Sequence, residues 1–337
     1  MVDASIIIPT YNRRKSLLET LTAIDHQVVG DASFEVLVVD DGSTDGTEAI
    51  YDKKFSFPLN YLQQANQGSA VARNTGAAKA RGWLLIFLDD DMDVERQYVS
   101  KLIQLHRRHP HAVGMGAFLP WCPPHSTPFN RIYARLNATQ DLQTDEAVYP
   151  YTECVTNNLS VEREDFFRIG QMQDIGGDGP TWWGDVDFGY RASQAGMQFR
   201  RSNRAACYHH DYAIRDLATA ITRAEKAARM AVLLFKKYPA ILPDLPMFTD
   251  KTPIRWGSDS PWQILRKGLR RAASARLVLQ GLQVLAGWLE QNWPAETILA
   301  VLYRWILGGY LYWGMRQGFQ QFGNTTVPSV QAGVGEP

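Results

Sequence analysis

Three consecutive carboxylates, Asp89-Asp90-Asp91, directly follow an apolar run and have the clearest capacity for chemistry in this sequence. Adjacent carboxylates repel one another, which is costly unless water or a cation offsets their charge. A hard divalent ion that prefers oxygen ligands, Mg²⁺ or Mn²⁺, would offset it. Such an ion could also bridge a diphosphate and neutralise the charge on a departing group. The alternative is a solvated acidic turn that leads into a helix.

A second acidic pair, Asp40-Asp41, also ends an apolar run and precedes Gly42-Ser43. A carboxylate at this position could accept a hydrogen bond from the imide N–H of a uracil or thymine base. The alternative is a turn followed by a helix cap, because Asp and Ser favour both.

The third acidic motif, Asp185-Val186-Asp187, follows Trp182 and Trp183. Aromatic side chains that partly desolvate Asp185 would raise its pKa toward the range of a general base. Indole faces also stack well on sugars. The alternative is a capped helix in which Asp187 pairs with Arg191 at helical spacing and the tryptophans belong to the core.

Two weaker signals accompany the acidic motifs. The stretch from Asn66 to Asn74 places Gly68 before a helix, so a ligand could approach the helix N-terminus closely. His209 and His210 follow a strand-like run, and either is a candidate metal ligand, although such a pair is more often structural.

The elements that must position these residues alternate between short β-branched runs and helix-length amphipathic segments. The pattern predicts strands at residues 5–8, 34–39, 59–62, 83–88 and 112–118, and helices near residues 14–27, 44–55 and 69–80. It indicates an α/β fold with a mostly parallel sheet flanked by helices. Ligands bind beyond the carboxyl ends of such strands, where Pro9 to Asn12 and the first two acidic motifs fall.

Composition excludes several classes of protein. The chain has 337 residues, 45% hydrophobic and 21% charged, with 35 basic and 35 acidic side chains, so it is globular and has no overall field for nucleic acid. Its three dispersed cysteines fit neither a disulfide framework nor a zinc site. The N-terminus lacks a signal-peptide pattern, so we expect a cytoplasmic protein.

The final part of the chain, beyond Ser260, combines a basic run with many of the ten tryptophans. Charged residues interrupt its apolar stretches before the ~18 uncharged residues that a membrane-spanning helix needs. Indoles beside basic side chains suit the headgroup boundary of a membrane. We therefore expect residues 260–322 to contact the inner face of the cytoplasmic membrane, the alternative being packing on the catalytic domain or on a second subunit.

Taken together, the motifs resemble family 2 glycosyltransferases of the GT-A fold over residues 4–212. The resemblance is carried by Pro9-Thr10-Tyr11-Asn12, Asp40-Asp41-Gly42-Ser43, Asn66 to Asn74, Asp89-Asp90-Asp91, Asn157-Asn158-Leu159-Ser160 and Gly184-Asp185-Val186-Asp187 ending at Arg191. It implies a catalytic domain at 1–212, with a nucleotide-sugar half at 1–118 and an acceptor half at 119–212. A helix and linker at 213–259, a helical appendage at 260–324 and a flexible tail at 325–337 would follow.

The resemblance also implies a role for each motif. Asp89 and Asp91 match the family's Asp-x-Asp motif, with Asp91 preferred as the direct ligand of Mg²⁺ or Mn²⁺, and His209 matches a histidine that completes the metal site or touches the diphosphate. Asp185 matches the general base of the Glu-Asp motif, although Gly184 replaces the glutamate. The acceptor-binding residues would be Trp182, Trp183 and Asp187. The residues that bind the nucleotide sugar would be Pro9, Thr10, Tyr11, Asp40, Asp41, Gly68, Arg73, Asp89 and Asp90.

The implied reaction is a single in-line displacement that inverts the anomeric carbon, with a UDP or dTDP sugar favoured as donor. The acceptor would be a hydroxyl of a glycan or lipid-linked molecule in cell-surface polysaccharide or glycolipid synthesis. Two alternatives remain. One is a non-catalytic nucleotide-sugar-binding protein, and the other is a receiver-like phosphoacceptor module built on the acidic strand ends.

Overall fold

The computed structural model describes residues 2–123, 125–175, 182–210 and 214–323. The chain divides into two compact units. Residues 1–123 and 133–212 form the first unit, and residues 124–132 and 213–337 form the second.

A mixed β-sheet forms the centre of the first unit. Its strands are β1 (Ala4–Thr10), β2 (Phe34–Asp40), β3 (Leu59–Gln63), β4 (Leu84–Leu88), β5 (Met92–Val94), β6 (Val113–Leu119), β7 (Ala147–Tyr149), β8 (Asn158–Glu162) and β9 (Phe199–His209). Their order is β3-β2-β1-β4-β8-β6-β9-β5, and β7 pairs with β9. Strands β1, β2, β3 and β4 pair with one another in parallel, and β6 pairs with β9 in parallel. Strands β5, β7 and β8 run antiparallel to their partners. This order differs from the five-stranded parallel sheet of a receiver domain and excludes that alternative.

The first helices of the chain cover this sheet. They are α1 (Arg14–Asp25), α2 (Ser69–Lys79), α3 (Tyr98–Arg108), α5 (Arg163–Arg168) and α6 (Gly184–Gln194). A further helix, α4 (Pro128–Asn137), begins within the second unit. Because strand side chains alternate between faces, Ile6 and Ile8 pack in one buried cluster and Ile7 in another. The α/β fold expected from the sequence is therefore present.

All five predicted strands are present, each within two residues of its expected bounds. The helix predicted at 44–55 is wrong, because only a short 3₁₀ turn, Thr47–Ile50, forms there. Gly46 adopts a left-handed conformation at φ 80°, and the Asp45 carboxylate accepts hydrogen bonds from the backbone N–H groups of Arg14 and Thr47. These contacts draw the segment into a turn and compete with a regular helix.

The second unit is helical. Its helices are α7 (Leu217–Lys237), α8 (Pro246–Thr249), α9 (Pro261–Ala273), α10 (Arg276–Asn292) and α11 (Glu296–Phe322). Residues 213–259, expected to be a helix and linker, belong to the same compact unit as residues 260–323.

Two glycines allow α11 to approach α7 closely. A Cβ added at Gly314 would lie 2.1 Å from the carbonyl oxygen of Glu225, and one at Gly318 would lie 2.5 Å from that of Arg229. Neither position has room for a side chain, so the two helix backbones are in direct contact.

Candidate functional site

The acidic run lies directly after β4, at the sheet edge where β1 and β2 also end. Asp90 is buried there and interacts with two residues that follow or end β1. The Thr10 hydroxyl donates to Asp90 Oδ2 at 2.7 Å, and Arg13 Nη1 lies 3.1 Å from Asp90 Oδ1. Burial raises the pKa of Asp90 to about 7, against the opposing effect of Arg13.

Asp91 is buried beside Asp90 and contacts two potentially cationic groups. Arg13 Nη1 lies 2.8 Å from Asp91 Oδ2, and His209 Nε2 lies 3.2 Å from Asp91 Oδ1. The register of β5 against β9 pairs Met92 with His209, which brings the imidazole to this carboxylate. Burial opposes ionisation, but His209 and Arg13 outweigh it and lower the pKa of Asp91.

Arg13 is a site residue that was not predicted from the sequence. Its guanidinium bridges the carboxylates of Asp90 and Asp91, although 41% of its own side chain is exposed. The available signal was its position directly after Pro9-Thr10-Tyr11-Asn12, but nothing in the spacing shows that it reaches across to the run after β4.

The third carboxylate of the run turns toward a different cation. Arg73, a buried residue of α2, donates from Nη2 to Asp89 Oδ1. Arg73 and Asp89 were both predicted to bind the nucleotide sugar, and the structure pairs them with each other. Asp89 would have to leave this ion pair in order to ligate a metal together with Asp91.

The donor set around Asp91 fits a hard divalent cation. Within the described residues, the buried Asp91 Oδ1 accepts no hydrogen bond of good geometry, although His209 lies beside it. A carboxylate oxygen with spare capacity and an adjacent imidazole are groups that bind such an ion, which would compete with Arg13 for Asp91. Asp91 and His209 are therefore the residues that would hold an ion, with Asp89 available if Arg73 moves.

Asp40 and Asp41 organise the loops at the end of β2. The Asp40 carboxylate accepts hydrogen bonds from Ser43 N at 2.8 Å and from the Tyr61 hydroxyl. Burial and this contact raise the pKa of Tyr61. Asp40 is itself fully buried and has this structural role, and its predicted contact with a nucleotide stays a prediction.

Asp41 anchors the segment that leads into α2. Its Oδ1 accepts hydrogen bonds from Gln64 Nε2 at 2.7 Å and Gln67 N at 2.9 Å, and its Oδ2 accepts one from Gly68 N at 2.8 Å. Each carboxylate oxygen can accept two, so Oδ2 retains capacity for one more donor. A base N–H is compatible with that position.

The loop after β1 is tied to the loop after β2. Asn12, at φ 53°, accepts a hydrogen bond from Thr44 N at 2.8 Å and donates from its own backbone N–H to Ser43 Oγ at 2.8 Å. Pro9 is a buried β1 residue, and Tyr11 is exposed beside Asn12. Tyr11 is therefore accessible to a ligand, whereas Thr10 already donates to Asp90.

Asp185 occupies the first turn of α6, as predicted. Trp183 precedes the helix in a left-handed conformation at φ 62°, and Asp185 Oδ1 accepts a hydrogen bond from Val186 N at 2.8 Å. Burial raises the pKa of Asp185, and the charges of Arg73 and Asp89 act on it in opposite directions. The candidate base and the acidic run thus belong to one electrostatic environment.

Asp187, predicted to bind the acceptor, has its carboxylate buried in an ion pair, and its acceptor role stays a prediction. Arg191 Nε and Nη2 lie 2.9 and 2.8 Å from Asp187 Oδ2. Arg191 also donates to the backbone oxygens of Ile169 and Gln171, so this pair fixes the residues that directly follow α5.

Trp182 and Trp183 are both half-buried, so their predicted contact with an acceptor sugar stays a prediction. The glycine-rich stretch 170–183, whose lack of periodicity predicts a mobile loop, lies partly outside the described residues. Its first part is held by Asn74, whose amide donates to Met172 O and accepts from Met172 N at 2.9 and 3.0 Å.

Within the described residues, a compact group of three potential metal ligands is formed by His111, Glu162 and Asp165. Glu162 pairs in register with Leu84, the first residue of β4, so this cluster lies at the opposite sheet edge from Asp89. Asp165 also binds Arg168 at 2.7 Å, and His111 Nδ1 lies 3.0 Å from Asp165 Oδ2. These contacts make the cluster an ion-pair network.

Comparison with known proteins agrees with this arrangement. Residues 5–150 match Glycosyl transferase family 2. An uncharacterized glycosyltransferase of Bacillus subtilis is 28% identical over 63% of this chain and 65% of its own length. The validoxylamine A glucosyltransferase of Streptomyces hygroscopicus subsp. limoneus is 28% identical over 72% of this chain and 58% of its own. The chain therefore spans about three fifths of the length of these relatives.

Solved structures extend the similarity to the fold of most of the chain. The mannosyltransferase of Pyrobaculum calidifontis, in complex with GDP-Man and Mn²⁺, superposes with a TM-score of 0.58 at 19% identity, over 94% of this chain and 87% of that one. Residues 1–349 of Staphylococcus aureus TarS give 0.50 at 15% identity, over 96% and 93%. With residues 5–150 matched by the family, with these relatives and with its GT-A fold, the chain is similar to glycosyl transferase family 2.

Proposed function

We propose that this chain is an inverting glycosyltransferase that moves a sugar from a nucleotide diphosphate donor to an acceptor hydroxyl. The observation that carries the proposal is the shared environment of Asp185 and the acidic run. Asp185 has a raised pKa and is influenced by Asp89 and Arg73, while Asp91 next to Asp89 favours a cation. A base and a cation site close together are what an in-line displacement at a sugar diphosphate needs.

Asp185 acts as the general base. Its carboxylate accepts the proton of the acceptor hydroxyl as that oxygen forms a bond to the anomeric carbon. The bond from that carbon to the diphosphate oxygen breaks on the opposite face, and the electron pair leaves with the nucleoside diphosphate. A pKa raised by burial makes Asp185 a stronger base than an exposed aspartate.

Asp91 and His209 would hold the divalent ion, Mg²⁺ or Mn²⁺, and Asp89 would be available to join them if Arg73 moves. When bound, the ion supplies Lewis-acid stabilisation of the negative charge on the departing diphosphate. Arg73 is released from Asp89 as the donor enters and offers its guanidinium to a phosphate oxygen. While no donor is bound, Arg13 neutralises the negative charge of Asp90 and Asp91.

The donor base is recognised by Asp41, whose Oδ2 keeps the capacity for one further hydrogen bond. An acceptor oxygen at this point favours the imide N–H of uracil or thymine, so the donor is a UDP or dTDP sugar. Tyr11 is exposed next to this loop and can stack on the base.

The acceptor is a hydroxyl of a glycan or lipid-linked molecule in cell-surface polysaccharide or glycolipid synthesis. Support comes from a relative named poly(ribitol-phosphate) beta-N-acetylglucosaminyltransferase, which is 35% identical over 30% of this chain, and from a minor teichoic acid biosynthesis protein, 25% identical over 52%. Trp182 and Trp183 provide indole faces for an acceptor sugar.

The helical unit contacts the inner face of the cytoplasmic membrane. Among the described residues, no helix has both the length and the apolarity to cross a membrane. Instead, α10 exposes Leu277, Val284 and Trp288 at helical spacing, at 83%, 74% and 55%. Exposed apolar side chains of this kind, with arginines close by in the sequence, suit an interfacial helix.

A screen of nucleotide sugars tests the catalytic proposal. The true donor should raise Tm in the presence of Mn²⁺ and not in EDTA, and NMR of the product should show the inverted anomer. Asp185→Asn should keep donor binding while transfer falls by about 10² to 10⁴. Full transfer by this variant would refute the base. If the wild-type protein binds a donor but transfers sugar from none, the non-catalytic alternative is favoured. That alternative is open because Gly184 replaces the glutamate of the motif.

Flotation with vesicles tests the membrane contact. Full-length protein should float with phosphatidylglycerol vesicles, and replacing Leu277, Val284 and Trp288 with glutamine should abolish flotation. Truncation before α9 is a poor test, because removing α11 would uncover the face of α7 on which Gly314 and Gly318 pack. Equal flotation by both proteins, or by neither, would remove the membrane role.

A further inference from the structure

A cavity of about 650 Å³ lies wholly within the helical unit and has no part in the proposed transfer reaction. Its walls come from the segment after α8 and from α9 and α11. Seven of its lining residues are either basic or aromatic: Lys251, Lys267, Arg271, Arg316, Trp256, Tyr312 and Phe319. The volume falls within the ~300–1,000 Å³ typical of small-molecule sites.

The charge of the lining is positive. Four of the lining side chains are basic, and no aspartate or glutamate is among the lining residues. Two carboxylates outside the lining compensate part of this charge, Asp250 at 2.8 Å from Lys251 Nζ and Asp259 at 2.6 Å from Lys267 Nζ. Asp250 also pairs with Arg270 at 2.9 Å, so its charge is shared.

The two lysines are built into the walls. Both are buried, at 6% and 7% exposure, so their positions are fixed by the fold. Lys251 donates to Met247 O and Asp250, and Lys267 donates to Pro253 O and Asp259. An ammonium group has three donors, so each lysine keeps one that these contacts leave unused.

The two arginines are exposed and face no acid. In the described part of the chain, neither Arg271 nor Arg316 lies within ion-pair distance of a carboxylate. Burial lowers the pKa of Lys251, and Arg266 and Arg270 lower it further, so an anion in the cavity would relieve mutual repulsion among these cations.

We propose that this cavity binds a phosphate group carried on a sugar, polyol or lipid headgroup. Buried ammonium groups and flexible guanidinium forks are the groups that proteins use to hold phosphate oxygens. Trp256 and Tyr312 give the cavity apolar walls against which the carbon skeleton beside the phosphate packs. A carboxylate ligand would satisfy the charge but would offer fewer acceptor oxygens to four basic residues.

Binding of sn-glycerol 3-phosphate and inorganic phosphate by the full-length chain, measured by calorimetry in EDTA, tests this site. Glycerol serves as the uncharged comparison. We expect saturable binding of both phosphate compounds and none of glycerol. The double variant Arg271→Gln/Arg316→Gln should weaken binding by about tenfold or more, because it removes two charge-assisted donors. Both side chains are exposed, so the variant should fold normally.

The matched control is Lys226→Gln/Arg304→Gln, which removes the same charge from exposed positions of the helical unit that lie outside the cavity lining. This control should bind as the wild type does. If it weakens binding as much as the cavity variant, or if neither weakens it, the cavity is not the site. The absence of saturable binding to every phosphate probe would overturn the proposal as well.

Vesicles of phosphatidylglycerol distinguish a lipid source from a soluble one. If a lipid headgroup occupies the cavity, the cavity variant should lose vesicle binding while its matched control keeps it. Sensitivity to soluble phosphates alone identifies a sugar or polyol phosphate as the ligand. If both double variants still bind vesicles, the exposed face of α10 accounts for that binding and a lipid headgroup in the cavity is not supported. The calorimetry with soluble phosphates then decides whether the cavity binds phosphate. Donor binding at Asp91 is measured separately, so failure here leaves the transferase proposal unaffected.

Discussion

Replacing Arg13 with glutamine should destabilise the protein without a divalent ion and tighten its binding of that ion. Arg13 Nη1 lies 3.1 and 2.8 Å from carboxylate oxygens of Asp90 and Asp91, whose side chains are only 6% and 4% exposed. Removing one partner of a buried ion pair costs ~3–5 kcal/mol. Because Arg13 itself is 41% exposed, solvent screening reduces our expectation to about 1–2 kcal/mol.

That loss corresponds to a fall in Tm of about 2–8 °C for a domain of ~200 residues. An added divalent ion should stabilise the variant more than the wild type, because in the variant the ion no longer competes with the guanidinium for Asp91. At an effective permittivity of ~20, charges of +1 and +2 about 5 Å apart repel by ~7 kcal/mol. A half-exposed side chain can swing away and avoid most of this repulsion, so we expect Mn²⁺ to bind about tenfold more tightly to the variant.

Differential scanning calorimetry with and without Mn²⁺, together with titration calorimetry, measures both effects. The matched control is Lys15→Gln, which removes an equal charge two residues away from a side chain that is 92% exposed. The control should resemble the wild type in both assays. A variant whose Tm falls equally with and without Mn²⁺, or that binds Mn²⁺ more weakly than wild type, would refute the competition between Arg13 and the ion.

Three further predictions follow from the same structure. Asp91→Ala should abolish the Mn²⁺-dependent part of donor binding in calorimetry, as EDTA does, and unchanged affinity would exclude Asp91 as a ligand. Burial lowers the pKa of His106 to about 3, so the folded state keeps it neutral and stability falls as pH drops below ~6.5, by about 2 kcal/mol at pH 5. His106→Asn should flatten this dependence in urea unfolding at pH 5 and 7, whereas the exposed control His26→Asn should not. Gly314→Ala should lower the free energy of unfolding by about 1–3 kcal/mol, because its methyl group would meet the Glu225 carbonyl, whereas Gly287→Ala, with open space around it, should be tolerated.

The positions of the site residues could be predicted from the sequence because apolar runs mark buried strands and ligands gather at their carboxyl ends. This reasoning placed the Asp40 and Asp89 motifs at one edge of the sheet. It could not predict which partner each carboxylate binds. Asp41 turns to Gln67 and Gly68, while Asp89 turns to Arg73.

Errors in prediction arose where tertiary contacts decide between equally plausible local patterns. The segment at 44–55 has the composition of a short helix, but the Asp45 side chain binds the backbone of Arg14 from a distant part of the chain. Arg13 was missed for the same reason, since its partners are more than 70 residues away in sequence.

The direct backbone contact between α7 and α11 has a consequence for recombination between related chains. Because Gly314 and Gly318 leave no space against Glu225 and Arg229, each helix must be inherited together with its partner. A chimera whose crossover falls between the two helices would join a glycine face to an unmatched surface. Crossovers placed before α7 would transfer both helices as one cassette, so functional hybrids should be recovered from exchanges there.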